Sequence, residues 1–346
     1  MNTLGSEDYE QFNRVGAGFE RLCAQRILIT GGTGFVGSWL LEALLHLNRQ
    51  YAAGIRLFVL TRRPRRFLAA RPHLASDSAV EVIEGDILEA ERWAPQIPAL
   101  DMLFHGAFDS GLTPGTLTRL QVLDTIIEGT RKVLSVAARL GARRVLFVSS
   151  GAVYGDMPEG VQRFSESDTS GPDPLSAKGA YAEGKRAAEA WGLAFCEDQR
   201  IEFLIARLFA FAGPFLPLDQ HFAFGNFLRD CLRGGPISVS GSGRSVRSYL
   251  YGADLAIWLV KMLASEISGR AFNVGSDEAV SIRELAELFR DLGGIKSAVQ
   301  IGMEANPGEL VSRYVPDISR AQQELHLDVC TALPESIERS LRYYRR

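Results

Sequence analysis

The chain has 346 residues, with 38 basic against 41 acidic side chains, 46% hydrophobic and 23% charged residues. That balance belongs to an ordinary globular protein and excludes a disordered tail or a fibre. A net charge of −3 lacks the positive excess that nucleic acid or an anionic membrane would favour, so neither is expected as partner and a small molecule is.

Residues 1–24 read as a polar, acidic leader, expected to be helical. It lacks the basic start and apolar core of a secretory signal, and no run of eighteen apolar residues follows, so a cytoplasmic protein is expected. Cys23, Cys196, Cys231 and Cys330 are scattered without metal-ligand spacing, which predicts reduced thiols and no metal. From residue 25 short apolar runs alternate with longer amphipathic stretches. The runs at 26–30, 57–60, 80–83, 102–107, 145–149 and 203–206 are apolar nearly throughout, as strands covered on both faces should be. Val36, Leu40, Ala43, Leu44 and Leu47 share one helical face after the first of them. The pattern predicts an α/β, Rossmann-type doubly wound parallel sheet. Past Arg207 the rhythm breaks at Gly-Pro-Phe-Leu-Pro (213–217) and Gly-Gly-Pro (234–236), where a smaller mixed α/β substrate-binding lobe is expected. The dinucleotide-binding domain is placed at 25–207 and about 235–265, the lobe at about 208–234 and 266–346. Ser281 and Glu284 form a capping box that opens a helix over 281–292.

Thr30-Gly31-Gly32-Thr33-Gly34-Phe35-Val36-Gly37 lies between the first strand and the first helix. A dinucleotide pyrophosphate would meet backbone N–H groups there, Gly31 permitting the turn, Gly34 the approach of phosphate and Gly37 close packing of helix on strand. The second strand should end on the residue that reads the ribose. Here the sequence runs Leu60-Thr61-Arg62-Arg63, and guanidinium groups accept the 2′-phosphate that an acid would repel, so NADP(H) is favoured over NAD(H). The plainer alternative is a solvated basic stretch, with Asp86 the only acid near the adenine.

Tyr181 and Lys185 are four residues apart, one above the other on a predicted helix. Nine tyrosines and a handful of lysines give a chance expectation of roughly 0.13 such pairs. A cation about 4 Å from a phenol is worth on the order of 4 kcal/mol at an effective dielectric of about 20. That lowers the phenol's pKa by up to roughly three units and makes Tyr181 a usable general acid/base. Ser149 and Ser150, at the end of the fifth strand, offer hydroxyls on the same rim.

In TGGTGFVG (30–37), GDI (85–87), SSGAVYG (149–155), YAEGK (181–185) and VRSYLYGADLA (246–256) the chain resembles the extended short-chain dehydrogenase/reductases, in their nucleotide-sugar branch. The resemblance implies Ser150, Tyr181 and Lys185 as the catalytic triad, with Lys185 also touching the nicotinamide ribose. It implies cofactor contacts from Gly31, Thr33, Gly34, Phe35, Val36, Gly37, Thr61, Arg62, Arg63, Asp86, Ile87 and Ala107, besides Tyr181 and Lys185. Arg247 corresponds to the arginine that binds the sugar-nucleotide diphosphate. Asn226 and Arg313 are further substrate candidates, Arg313 as a substitute for an arginine missing at Asn306-Pro307-Gly308-Glu309. His221, alone in an apolar stretch, reads more simply as a packed residue. A homodimer is the family expectation, through helices near 115–139 and 180–196.

The departures narrow the chemistry. Dehydratases of this branch follow the catalytic hydroxyl with Asp-Glu and decarboxylases keep a Glu, where this chain has Gly151-Ala152. What remains is redox chemistry at C4. The expected activity is an NADPH-dependent 4-ketoreductase of a nucleoside-diphosphate 4-keto-6-deoxysugar. The alternatives are a nucleoside-diphosphate-sugar 4-epimerase with tightly bound NAD(P), and a catalytically dead NADP(H)-sensing regulator.

Overall fold

Runs rich in Val, Ile, Leu and Phe form the strands of the computed structural model, which describes residues 3–16, 18–75, 77–108, 117–176, 179–304 and 311–345. In chain order they are β1 (Arg26–Thr30), β2 (Arg56–Thr61), β3 (Val80–Glu84), β4 (Met102–His105), β5 (Arg144–Ser150), β6 (Glu202–Leu208), β7 (Phe211–Ala212), β8 (Ser238–Val239), β9 (Val246–Arg247), β10 (Leu250–Tyr251), β11 (Arg270–Val274), β12 (Val280–Ser281), β13 (Gln300–Ile301) and β14 (Arg313–Tyr314). The helices are α1 (Ser6–Phe12), α2 (Phe35–Tyr51), α3 (Pro64–Ala70), α4 (Pro72–Ala75), α5 (Ala90–Trp93), α6 (Arg119–Arg139), α7 (Gly179–Asp198), α8 (Ala223–Leu232), α9 (Gly252–Ala264), α10 (Ile282–Gly293), α11 (Ser319–Leu325) and α12 (Leu333–Arg345).

One seven-stranded parallel sheet runs in the order β11-β6-β5-β4-β1-β2-β3. It is a Rossmann-type sheet. The order reverses between β1 and β4, so a crevice opens beyond their C-terminal ends, the place where such sheets hold ligands. One face is covered by α2 and α9, whose Trp39, Leu40, Leu44, Leu255 and Trp258 are fully buried, and Phe12 of the leader helix joins the same cluster. The other is covered by α6 and α7 through Ile126, Val133, Leu134, Ala188 and Cys196. Among the described residues no helix is long and apolar enough to cross a membrane.

A separate apolar cluster joins α8, α10 and α12 through Phe224, Phe227, Leu285, Phe289, Ile337 and Leu341. Around it lie the short sheets β8–β13, β7–β10 and β12–β9–β14. Helix α10 opens with the predicted capping box, Ser281 and Glu284 bonding each other's backbone N–H groups. Two boundaries differ from the sequence reading. Strand β11, inside the stretch given to the lobe, is the edge of the main sheet. Conversely, β8 and β9, inside 235–265, pair with lobe strands, while α9 of that stretch covers the main sheet. Arg270 and Asn273 interrupt the apolar run of β11, which hid it as a strand; Phe272 and Val274 nevertheless bury completely.

Candidate active site

At the end of β1 the backbone turns through Gly31 with φ +76°, a conformation that suits glycine. A Cβ there would strike the Gly106 carbonyl, and one on Gly37 would strike the backbone of Gly32, so loop, helix and β4 meet at backbone distance. Helix α2 starts at Phe35 behind Gly34, which supplies no side-chain cap. Its first-turn N–H groups are therefore open to an anion. A Cβ on Gly34 would meet only the Gly31 carbonyl, at 3.5 Å, and Thr33 is exposed beside it. This cradle fits a pyrophosphate. Phe35 and Val36 are half-buried at its edge, Phe35 stacked on Phe211 at 5.8 Å.

The sheet end continues the crevice. Thr61 closes β2 and accepts from the Arg63 N–H at 3.2 Å. Arg62 approaches Asp86 to 3.9 Å at the surface, while Asp86 also accepts from the Leu88 N–H. Ile87 is buried under Gly129, and the Ala107 N–H donates to Thr30 Oγ1 at 3.1 Å. Beneath them His105 Nδ1 lies 2.7 Å from Thr30 Oγ1 and its Nε2 3.1 Å from Thr130 Oγ1. Burial, assisted by the Lys185 charge, lowers its pKa to about 3 and keeps it neutral.

Ser150 ends β5, and α7 brings Tyr181 and, one turn on, Lys185 to the same rim. Burial raises the Tyr181 pKa, and a hydrogen bond with Ser150 opposes the rise. This reverses the expected direction. Lys185 Nζ donates to the Val148 carbonyl at 2.8 Å and lies 5.0 Å from the Phe147 ring. Burial also lowers Lys185 to about 8, with Glu189 pulling it back up. The Phe108 ring stands 5.0 Å from that of Tyr181.

Two features here escaped the sequence reading. Behind the rim, Glu189 accepts from Ser149 and is held by Arg207 through Nε at 3.0 Å and Nη2 at 2.6 Å. Arg207 also donates to Tyr154 at 3.0 Å, and Tyr154 to Asn273 at 2.7 Å. Tyr181, Lys185 and Glu189 recur every fourth residue, a spacing that exposes this network in retrospect. The second feature is Tyr314. Its ring lies 4.6 Å from Phe209, and its hydroxyl is 3.4 Å from Ser150 Oγ. A Cβ on Gly151 would come within 2.7 Å of both Phe209 Cζ and that hydroxyl. The space beside the catalytic-serine candidate is thus full.

The substrate candidates divide. Arg247 is the strand partner of Tyr314; its guanidinium donates to the Val246 and Ser312 carbonyls, and burial lowers its pKa. Arg313, on the opposite side of β14 by strand alternation, donates Nε to the Gln162 carbonyl at 2.7 Å, so it is not gathered with Ser150 and Tyr181. Asn226 Oδ1 accepts from Arg229 on its own helix, and His221 is exposed against Phe222. Residues 306–309 and Gly115 lie outside the described residues. The four cysteines are free thiols, Cys196 and Cys231 buried. No group of three or more candidate metal ligands occurs among the described residues.

The model of the NAD dependent epimerase/dehydratase family matches residues 27–275. The chain belongs to that family. Among curated relatives, UDP-glucuronic acid decarboxylase 1 of Arabidopsis thaliana is 30% identical over 331 residues, covering 96% of this chain and 72% of the relative. The Xenopus tropicalis enzyme of the same name is 31% identical over 322 residues, 93% of this chain and 72% of its own. Among solved structures, an epimerase from Methanothermobacter thermautotrophicus superposes with a TM-score of 0.80 at 24% identity, over 96% of each chain. UDP-glucose 4-epimerase of Thermotoga maritima gives 0.78 at 21%, over 92% of this chain and 98% of that one. At these identities the superpositions show the family's fold. TGGTGFVG and YAEGK both lie within the region that the family model matches.

Proposed function

We propose that the chain is a nucleotide-sugar oxidoreductase acting at C4, an NADPH-dependent reductase of a nucleoside-diphosphate 4-keto-6-deoxysugar. The observation that carries this reading is the filled space at Gly151. Dehydration and decarboxylation in this branch rely on a carboxylate just after the catalytic hydroxyl. Here Phe209 and Tyr314 stand where a residue-151 side chain would go, and Ala152 offers no acid. The decarboxylase activity named for the curated relatives is accordingly not carried over.

The cradle from Gly31 to Gly37 would hold a reduced nicotinamide cofactor, which would supply the hydride for the C4 carbonyl carbon. The remaining work falls to side chains of this chain. Tyr181, kept protonated by burial, gives its proton to the oxygen that becomes the C4 hydroxyl. Ser150 donates a hydrogen bond to that oxygen as charge develops. Lys185, fixed on the Val148 carbonyl, holds a positive charge beneath the site. Arg247 would bind the substrate diphosphate, and the arginines after β2 would bind the 2′-phosphate of NADP. Two copies pair through α6 and α7, on the second of which Trp191 and Phe195 stack at 4.8 Å.

A second reading has one observation in its favour. Asp86 partly neutralises Arg62, which weakens the argument for NADP and suits a 4-epimerase that keeps NAD. The test supplies 4-keto nucleotide sugars, prepared with a 4,6-dehydratase, and follows NADPH absorbance. Oxidation should occur, and Tyr181→Phe should slow it roughly 10²- to 10⁴-fold. No oxidation, with C4 epimers interconverted without added cofactor, selects the epimerase.

A further inference from the structure

The catalytic-serine candidate has a neighbour that no motif announces. Ser150 Oγ accepts from the Ala152 N–H at 3.2 Å, which occupies one lone pair. Its single proton and remaining lone pair are shared between Tyr181 on one side and Tyr314, 3.4 Å away, on the other. Tyr314 is held independently of Ser150. Its ring packs on Phe209 and meets Phe164 edge-on at 6.5 Å, and its hydroxyl donates to the Leu208 carbonyl at 3.3 Å. Because a carbonyl only accepts, the Tyr314 oxygen is left free to receive the Ser150 proton. When an oxygen of higher charge arrives between Ser150 and Tyr181, Ser150 can turn its proton there. Tyr314 can then swing its own proton from Leu208 to Ser150 Oγ. Ser150 exchanges roles without losing a partner, and donation from behind strengthens its donation in front.

We infer that Tyr314 is a positioning residue, which acts through Ser150 by fixing the rotamer of its hydroxyl and backing its hydrogen bond to the reacting oxygen. The inference rests on the proposed reaction for its kinetic consequence but not for its structural one. It also accounts for Gly151: any side chain there would push against the Tyr314 hydroxyl.

Tyr314→Phe removes the hydroxyl and keeps the ring. The first readout is a high-resolution crystal structure of this variant, expected to show the Ser150 side chain spread over more than one rotamer on an unmoved backbone. The second is kinetic. With a turned-over 4-keto nucleotide sugar, kcat should fall roughly three- to tenfold, the loss of about one hydrogen bond. KM should change less than twofold, and the alkaline limb of the pH profile should move. In a Ser150→Ala background the same substitution should do nothing further. A single unchanged Ser150 rotamer, or an undiminished effect of Tyr314→Phe without Ser150, overturns the inference. If no sugar is turned over by the unaltered protein yet the Ser150 rotamer spreads, the reductase reading fails and the positioning role stands.

Discussion

Gly151→Ala puts a methyl group where the structure has none to spare. Its Cβ would lie 2.7 Å from Phe209 Cζ, 2.8 Å from Cε1 and 2.7 Å from the Tyr314 oxygen, whereas carbon atoms ordinarily rest about 3.5–4.0 Å apart. Phe209 cannot swing aside freely, being buried among the rings of Tyr154, Phe164 and Tyr314. The backbone at 151 is itself of a kind any residue adopts, so the cost comes from these contacts alone. Overpacking of this degree costs about 1–3 kcal/mol. For a chain this long that is a fall in Tm of about 1–4 °C. The assay is a thermal melt of Gly151→Ala, Phe209→Leu and the double variant. The double variant should regain at least about 1 kcal/mol relative to additivity, since a leucine leaves room for the methyl. An unchanged Tm in Gly151→Ala would mean that residue 151 has room for a side chain. The case against an acid-assisted elimination would then lose its structural support.

His105 should make the protein acid-labile: its folded pKa of about 3 lies below the ordinary 6.5, so the stability it confers is full above 6.5 and drains as the pH falls toward 3. The integrated effect has an upper limit of about 5 kcal/mol, and urea midpoints at pH 7.5 and 4.5 should converge in His105→Gln. Phe12→Ala, which empties a fully buried site between the leader and Trp39, should cost about 3–5 kcal/mol by urea unfolding, far more than removing the exposed Arg92–Glu89 pair. Asp86→Asn, which keeps the side chain and removes the charge beside Arg62, should lower the KM for NADPH relative to that for NADH by roughly two- to fivefold, while Arg63→Ala should raise it; a larger relative gain for NADH would refute the NADP assignment.

The glycine loop, the strands β1 to β6 and the Tyr181–Lys185 pair were legible because each depends on local chemistry. A turn that only glycine can make, an apolar run long enough to cross a covered sheet, and a four-residue helical repeat all show themselves within a few positions. Tyr314 did not, because its partner is Ser150, 164 residues away, and the register of β14 against β9 sets the meeting. Glu189 was half visible: its spacing from Lys185 is plain, but that it bonds Ser149 and Arg207 is decided by how closely α7 lies on β5 and β6. The direction of the Tyr181 shift was misread for a related reason. Spacing tells that two side chains can meet; it does not tell how deeply the phenol is buried, and burial raises its pKa.

The same desolvation that raises Tyr181 lowers Lys185, since both charged forms are disfavoured away from water. Together the two shifts define a starting state for chemistry. The phenol begins loaded with its proton, and Glu189, held by Arg207, helps Lys185 keep its positive charge near neutral pH. A reduction uses this state directly, because the product oxygen needs a proton and Tyr181 has one to give. An oxidation needs the phenol to begin without its proton, against the direction in which burial shifts it. On the proposed reading the absence of a carboxylate at 151 and the protonated phenol belong to one design: a site with a single proton donor, supported by Ser150, that has one bond to complete and no leaving group to assist.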